Sequence, residues 1–143
     1  MKKFFLFATL ALLALLPAIS VPAAPPEDGA ARIKRGRYLV ERVALCSDCH
    51  SQRDWRGRQD REHWLQGATL DFKPARLMPW AAVAPAIAGL PTLTNDAAAV
   101  KYFETGINAA GKASAPPMPQ FRLEPDDAVA MVAYLRSLKP VAK

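Results

Sequence analysis

Prolines spread through the middle of the chain place the strongest limit on what it can fold into. They break any long helix between residues 51 and 93. The same stretch contains no run of alternating apolar and polar residues that is long enough for a strand. A second proline-rich stretch occupies residues 115–119. Long irregular loops in so small a domain are poor at making a dry core from side chains alone. Something other than side chains is therefore expected to fill the middle of the fold.

The first of three predicted helices runs from Ala30 to Leu45. Its apolar residues recur at helical spacing on one face, and most of its charges fall opposite. Gly36 lies on the apolar face, although glycine weakens a helix interior by roughly 1 kcal/mol relative to alanine. The close approach of another element would explain a glycine there.

The two later helices carry clear end signals. For the second helix, Thr94 is the expected N-cap and Gly106 suits the position after the last turn. For the third, Pro125 suits the first helical position, two aspartates complement the helix dipole, and Pro140 stops the segment. Three helices joined by irregular loops predict an all-α domain.

The N-terminal residues 1–24 are expected to be a secretory signal peptide cleaved near residues 20–24. Two lysines precede an apolar run that is too short to span a bilayer of roughly 30 Å. The domain, residues 25–143, would then fold in a bacterial periplasm, and a membrane location is expected only if the leader stays uncleaved.

The formal net charge of +6 is concentrated in the sequence RIKRGRYLVER of the first helix. A solvated helix face is the default interpretation of this run, and such a charge can also steer an acidic protein partner toward the surface that carries it. Nucleic acid would require a denser basic stripe with interleaved aromatic residues, so no binding to nucleic acid is expected.

The only cysteines, Cys46 and Cys49, are followed directly by His50 in the sequence CSDCH. A disulfide between them would close a very small loop and stabilise little. A thiol–disulfide enzyme would need a βαβ pattern beside the motif, and a zinc site would need a fourth ligand for which His63 alone remains. Covalent haem attachment fits best, because two thiols one helical turn apart can add to two vinyl groups while the next imidazole binds the iron.

Taken together, three segments of the chain resemble a single-haem c-type cytochrome of the bacterial periplasmic His/Met kind. They are RGRYLVERVALCSDCH for the first helix and haem site, APAIAGL for the loop after it, and PPMPQFRLEPDDAVAMVAYLRSLKP for the methionine loop and last helix. The resemblance covers most of residues 32–140 and implies that the first and last helices cross closely around one covalent haem c. Tyr134 and Met131 would then pack against Gly36 and Val40.

The resemblance implies that His50 and Met118 are the two iron ligands. Met118 lies in a rigid Pro-Pro-Met-Pro segment shortly before the last helix. Met78, which is also followed by proline, and His63 remain alternatives for the sixth position, whereas Met131 is expected in the core. A thioether ligand raises the reduction potential and a second imidazole lowers it.

The resemblance also implies a role for Pro85 beside the haem. The Pro85 carbonyl would accept a hydrogen bond from Nδ1–H of His50, which fixes the tautomer that presents Nε2 to iron. The chain departs from the shortest members of the family by an inserted segment, residues 51–80, which holds all three tryptophans. In this segment Trp80 and Arg76 could reach a haem propionate, and ordinary loop packing is an equal alternative for both.

An iron held on both faces by protein ligands has no open position for a substrate, and it exchanges one electron with little rearrangement. The expected function is one-electron transfer by a soluble periplasmic carrier that is not itself an enzyme. One alternative is a haem c subunit of a partner dehydrogenase, docked through residues 51–80. If Met118 dissociates easily, a haem-based ligand sensor or a small peroxidase is another. Expected partners are redox proteins (a dehydrogenase, an oxidase or another cytochrome), and the protein would be a monomer or a subunit of a complex.

Overall fold

The computed structural model describes residues 28–140, so the predicted signal peptide lies outside the described residues. Its regular structure is mostly helical, with one small sheet. Helix α1 spans Gly29–Tyr38 and continues as a π-helical turn over Leu39–Val43, α2 spans Ser47–His50, α3 spans Asp96–Thr105, and α4 spans Pro125–Ser137. Strands β1, Ala68–Thr69, and β2, Val83–Ala84, pair antiparallel. In the part of the chain that is described, no helix is long and apolar enough to cross a bilayer.

Helices α1 and α4 cross at a glycine. A Cβ atom built on Gly36 would lie 1.9 Å from the backbone oxygen of Ala130 and 2.8 Å from Cβ of Tyr134. The two helices can approach this closely only because position 36 has no side chain. The expected crossing of first and last helices is confirmed, but Ala130, not Met131, faces the glycine together with Tyr134. Met131 is fully buried in the adjoining core, because it projects from a different face of α4.

The first helix changes its winding before it reaches the cysteines. The prediction was one α-helix over Ala30–Leu45, but regular α-helix ends at Tyr38 and a π-helical turn follows. In that turn the Ala44 amide donates to the carbonyl of Leu39 at 2.8 Å, five residues back. Leu45 then adopts a positive φ of 50°. The wide turn and the positive φ bend the chain into α2, which a straight helix through Leu45 would not reach.

The ends of the later helices follow their sequence signals to within one residue. Asn95, not Thr94, caps α3, because its extended backbone lets its side chain accept from the Ala98 amide at 2.9 Å. Gly106 ends the helix in the left-handed conformation with φ of 71°, as predicted. Helix α4 begins with Pro125, also as predicted.

A small sheet contradicts the prediction of a middle region without strands. Ala68 pairs with Ala84, and Thr69 pairs with Val83. Strands of two residues are too short to produce an alternating apolar pattern, so the sequence carries no sign of them. The pairing joins the two ends of a long loop and places Gly67 beside Pro85.

Candidate functional site

A cavity of about 400 Å³ lies among the helices and the loops that connect them. Its volume falls in the range of pockets that bury small molecules and cofactors, and its walls are mostly apolar. Helices α2, α3 and α4 and the loops around β2 and residues 114–121 all contribute side chains. The lining residues include Cys46, Cys49, His50, Pro85, Phe103, Met118, Phe121 and Leu135.

Helix α2 places the motif residues on this one cavity. The His50 amide donates to the carbonyl of Cys46 at 2.9 Å, so the motif forms a single helical turn. That turn brings the two thiols, three residues apart, to the same wall as the imidazole. Both cysteines are free thiols, and His50 is only 5% exposed.

The electrostatics of Cys46 differ from those of a redox-active thiol. Burial, together with the neighbouring Cys49, raises the pKa of Cys46 from 9.0 to about 11. Cysteines of thiol–disulfide enzymes have a lowered pKa, because the thiolate is the attacking species. The Cys46 environment therefore argues against thiol–disulfide exchange.

His50 is held in the tautomer that a metal ligand needs. Its Nδ1 lies 2.7 Å from the Pro85 carbonyl oxygen. A carbonyl can only accept, so Nδ1 carries the proton and Nε2 keeps a free lone pair. Burial lowers the pKa of His50, while the hydrogen bond to Pro85 opposes that shift. The imidazole is consequently neutral at physiological pH, and the hydrogen bond is the one that the resemblance implied.

Met118 alone among the candidates for a sixth ligand lines the cavity. Its two flanking prolines, residues 117 and 119, line it as well. Met78 is 41% exposed and lies outside the cavity lining, and Met131 is fully buried in the core. His63 contacts Asp60 at 2.7 Å on an exposed loop. The geometry favours Met118, and its role as a ligand stays a prediction.

Trp80 and Arg76 do not line the cavity, and their predicted contacts with a propionate remain predictions. Arg76 is exposed. Trp80 is adjacent in sequence to Ala81, which lines the cavity. The buried Nε1 of Trp80 has no hydrogen-bond partner in the described part of the chain. A buried donor without a partner costs about 1–3 kcal/mol. An acceptor oxygen that reached Nε1 would remove that cost.

The other two tryptophans of the inserted segment also lie away from the cavity lining. Trp55 is 86% exposed, and the guanidinium of Arg56 stacks over its ring at 4.4 Å. Trp64 is partly buried against the core, under the guanidinium of Arg61 at 3.9 Å. Trp64 therefore has a packing role, whereas Trp55 faces solvent.

Sequence reasoning missed a polar pair in the cavity wall. The Tyr102 hydroxyl lies 2.6 Å from Oγ of Ser114, and both residues line the cavity. The position of Tyr102 directly before Phe103 on α3 could have indicated that Tyr102 also lines the cavity. Ser114 follows no pattern, because its loop gives no periodicity to read.

A zinc centre finds no support in residues 28–140, where no three His, Cys, Asp or Glu side chains cluster closely enough to hold a metal ion. The chemistry of the cavity is instead two thiols, one neutral imidazole and one thioether in apolar surroundings. That donor set fits an iron porphyrin bound through both of its faces and attached by its vinyl groups.

Comparisons with known proteins agree with the donor set. Residues 33–139 match the family model described as Cytochrome c. Over 40 residues the chain is 45% identical to a protein of Cereibacter sphaeroides described as "Diheme cytochrome c-type". This match covers 28% of the chain and 14% of that relative, so it spans only a small part of the relative's length.

Proposed function

The chain belongs to the cytochrome c family, and from this premise we propose that it is a periplasmic one-electron carrier with a single haem c. The observation that carries the proposal is the convergence of Cys46, Cys49, His50 and Met118 on one apolar cavity. The predicted leader, residues 1–24, supports export. Only one CSDCH motif occurs in the sequence, which supports a single haem.

Each of the four side chains has a distinct task in this proposal. Cys46 and Cys49 would hold the haem through thioether bonds, and Nε2 of His50 and the Met118 sulfur would hold its iron. Bound in this way, haem c supplies an iron that cycles between ferrous and ferric states by one electron. The Pro85 carbonyl keeps the His50 ring in one orientation and one tautomer.

The apolar walls of the cavity have a separate role, which is to lower the polarity around the haem. Phe103 is buried and packs near Phe121, with ring centroids 6.3 Å apart, and both line the cavity together with Leu135. These side chains exclude water and lower the local dielectric. A less polar environment disfavours the additional charge of the ferric state, so the walls act with the thioether to raise the reduction potential.

A second candidate, a haem c subunit of a periplasmic dehydrogenase, is favoured by the exposed Trp55. The loop that carries it is closed by a bridge between Arg53 and Gln59, and Asp54 accepts hydrogen bonds from the amides of residues 56 and 58, both at 2.9 Å. Trp and Arg are among the residues enriched at protein–protein hot spots, so this exposed pair is a candidate docking surface. Purification from native cells separates the candidates. A carrier elutes at its own mass, and a subunit co-elutes with dehydrogenase activity.

Replacing both cysteines tests the covalent attachment. The Cys46→Ala, Cys49→Ala protein should carry no haem on a stained denaturing gel and should accumulate poorly, because the cofactor fills the cavity. A haem band of normal intensity from this double variant would contradict the cytochrome assignment of the site.

Replacing the methionines tests the sixth ligand. Met118→Ala should lower the reduction potential, abolish the long-wavelength sulfur-to-iron band of the oxidised protein and let carbon monoxide bind the reduced form. Met78→Leu is the matched control and should leave all three properties unchanged. If Met78→Leu removes the band and Met118→Ala keeps it, the assignment is reversed. Free binding of carbon monoxide to the unaltered protein would instead favour a ligand sensor or a peroxidase.

A further inference from the structure

Two hydrogen bonds tie the turn at residues 65–67 to the residues around the imidazole. The Gly67 amide donates to the backbone carbonyl of His50 at 2.8 Å. The Leu65 amide donates to the side-chain oxygen of Ser51 at 2.9 Å, and both Leu65 and Ser51 are buried. The turn is therefore anchored directly to the predicted iron ligand and to the residue that follows it.

The same turn holds the segment that carries the acceptor of His50. The Leu65 carbonyl accepts from the amides of residues 87 and 88, at 2.9 and 3.1 Å. On the other side of the turn, β1 begins at Ala68, which pairs with Ala84 directly before Pro85. The Pro85 peptide is thus held from both sides by the turn that also binds His50.

Gly67 fits this place for two separate reasons. Its φ of 89° lies in the left-handed region, which side chains disfavour. A Cβ atom at this position would lie 2.8 Å from the Ala84 oxygen, 2.9 Å from the Ala86 nitrogen and 3.0 Å from the Pro85 carbonyl carbon. All three contacts are with backbone atoms, so no side-chain rotation can relieve them. Any residue larger than glycine must displace either the backbone around Pro85 or the turn itself, and both changes alter how the turn holds the Pro85 carbonyl.

We propose that the 65–67 turn is a positioning element that fixes the Pro85 carbonyl on Nδ1 of His50 and thereby sets the reduction potential of the iron. The inference rests on the proposed function. A closely held acceptor draws the Nδ1 proton toward it, which makes Nε2 a stronger donor and stabilises the ferric state. Loosening the turn makes Nε2 a weaker donor to the iron, so the reduction potential rises. Part of the inserted segment therefore acts on the metal site, although none of residues 65–67 lines the cavity.

The test compares two glycines of the same segment in the haem-loaded protein. Gly67→Ala should raise the reduction potential and should speed deuterium exchange of the His50 Nδ1 proton, followed by NMR in the reduced state, at least tenfold. Gly57→Ala is the matched control, because Gly57 also has a positive φ, 77°, but no atom within 4 Å of a built Cβ. The control should match the unaltered protein in both measurements.

A milder variant keeps the test decisive if Gly67→Ala does not accumulate. Ser51→Ala removes the acceptor of the Leu65 amide, and it should move both measurements in the same direction by a smaller amount. If both stay at their unaltered values in Ser51→Ala and in any Gly67→Ala protein obtained, the turn does not position the ligand, and the proposed function still stands. If the unaltered protein carries no covalent haem, the proposed function fails and the positioning role fails with it.

Discussion

Replacing Gly36 by alanine should separate the two helices that frame the domain. The added Cβ would sit 1.9 Å from the Ala130 oxygen, 2.6 Å from its carbonyl carbon and 2.8 Å from Cβ of Tyr134. An ordinary contact begins at about 3.4 Å, so α1 and α4 must move apart by roughly 1.5 Å at the crossing. The obstacle is backbone, and no side chain can rotate away from it.

The size of the effect follows from two opposing terms. Alanine favours a helix interior over glycine by about 1 kcal/mol. Overpacking costs about 1–3 kcal/mol and occasionally more, and a rigid backbone contact belongs at the upper end of that range or beyond it. The net loss in the free energy of unfolding should be at least about 2 kcal/mol, which lowers the Tm of a domain of this size by roughly 10 °C.

Thermal unfolding of the haem-loaded protein, followed by circular dichroism, measures this loss. Gly29→Ala is the control, because Gly29 lies in the same helix with no atom within 4 Å of a built Cβ. It should unfold within a few degrees of the unaltered protein. Equal unfolding temperatures for Gly36→Ala and Gly29→Ala would refute the close crossing.

Two further predictions concern α4. The Tyr134 hydroxyl donates to Glu41 at 2.6 Å, and burial together with that hydrogen bond raises the pKa of Tyr134 from 10.0 to about 12. In an ultraviolet titration Tyr134 should ionise at a higher pH than a free tyrosine, and Glu41→Gln should lower its pKa. The free energy of unfolding should fall from pH 10 to 12, because the native state there keeps a proton that the unfolded chain has lost. Arg136 donates to several backbone carbonyls of the loop before α3, including that of Leu93. Arg136→Met should cost about 2–4 kcal/mol in chemical denaturation, whereas the exposed Arg122→Met should cost under about 0.5 kcal/mol.

Much of the arrangement of helices could be predicted, because the sequence signals for it are local. Pro125 and Gly106 mark helix ends through their own backbone preferences, which hold in almost any surroundings. The CSDCH motif is similarly self-contained, since one helical turn is enough to bring its thiols together. Gly36 was informative because it violates helix propensity, and only a close neighbour explains that.

The remaining features could not be predicted because they depend on contacts between distant residues. Leu65 adopts a positive φ of 58°, although it is neither glycine nor asparagine, the residues that usually indicate this conformation. Its carbonyl accepts hydrogen bonds from the amides of residues 87 and 88, which hold it there. Thr94 and Asn95 are both good caps, so the sequence could not decide between them. Trp80 was expected near a haem propionate, but its placement outside the cavity lining depends on a loop without periodicity.

The π-helical turn at Leu39–Val43 and the positive φ of Leu45 together separate the part of the first helix that packs on α4 from the motif that lines the cavity. An α-helix rotates about 100° per residue, and a π turn holds one residue more than a regular turn. Residues before it, such as Gly36, meet α4, whereas Ala44 and Cys46 after it line the cavity. The π turn takes up its extra residue within one turn, so deleting that residue would restore regular winding and leave the residues directly after it in nearly the same phase. Whether a correctly packed frame also presents its thiols to the cavity therefore depends on the bend at Leu45, where φ is 50°, more than on the winding of the turn before it.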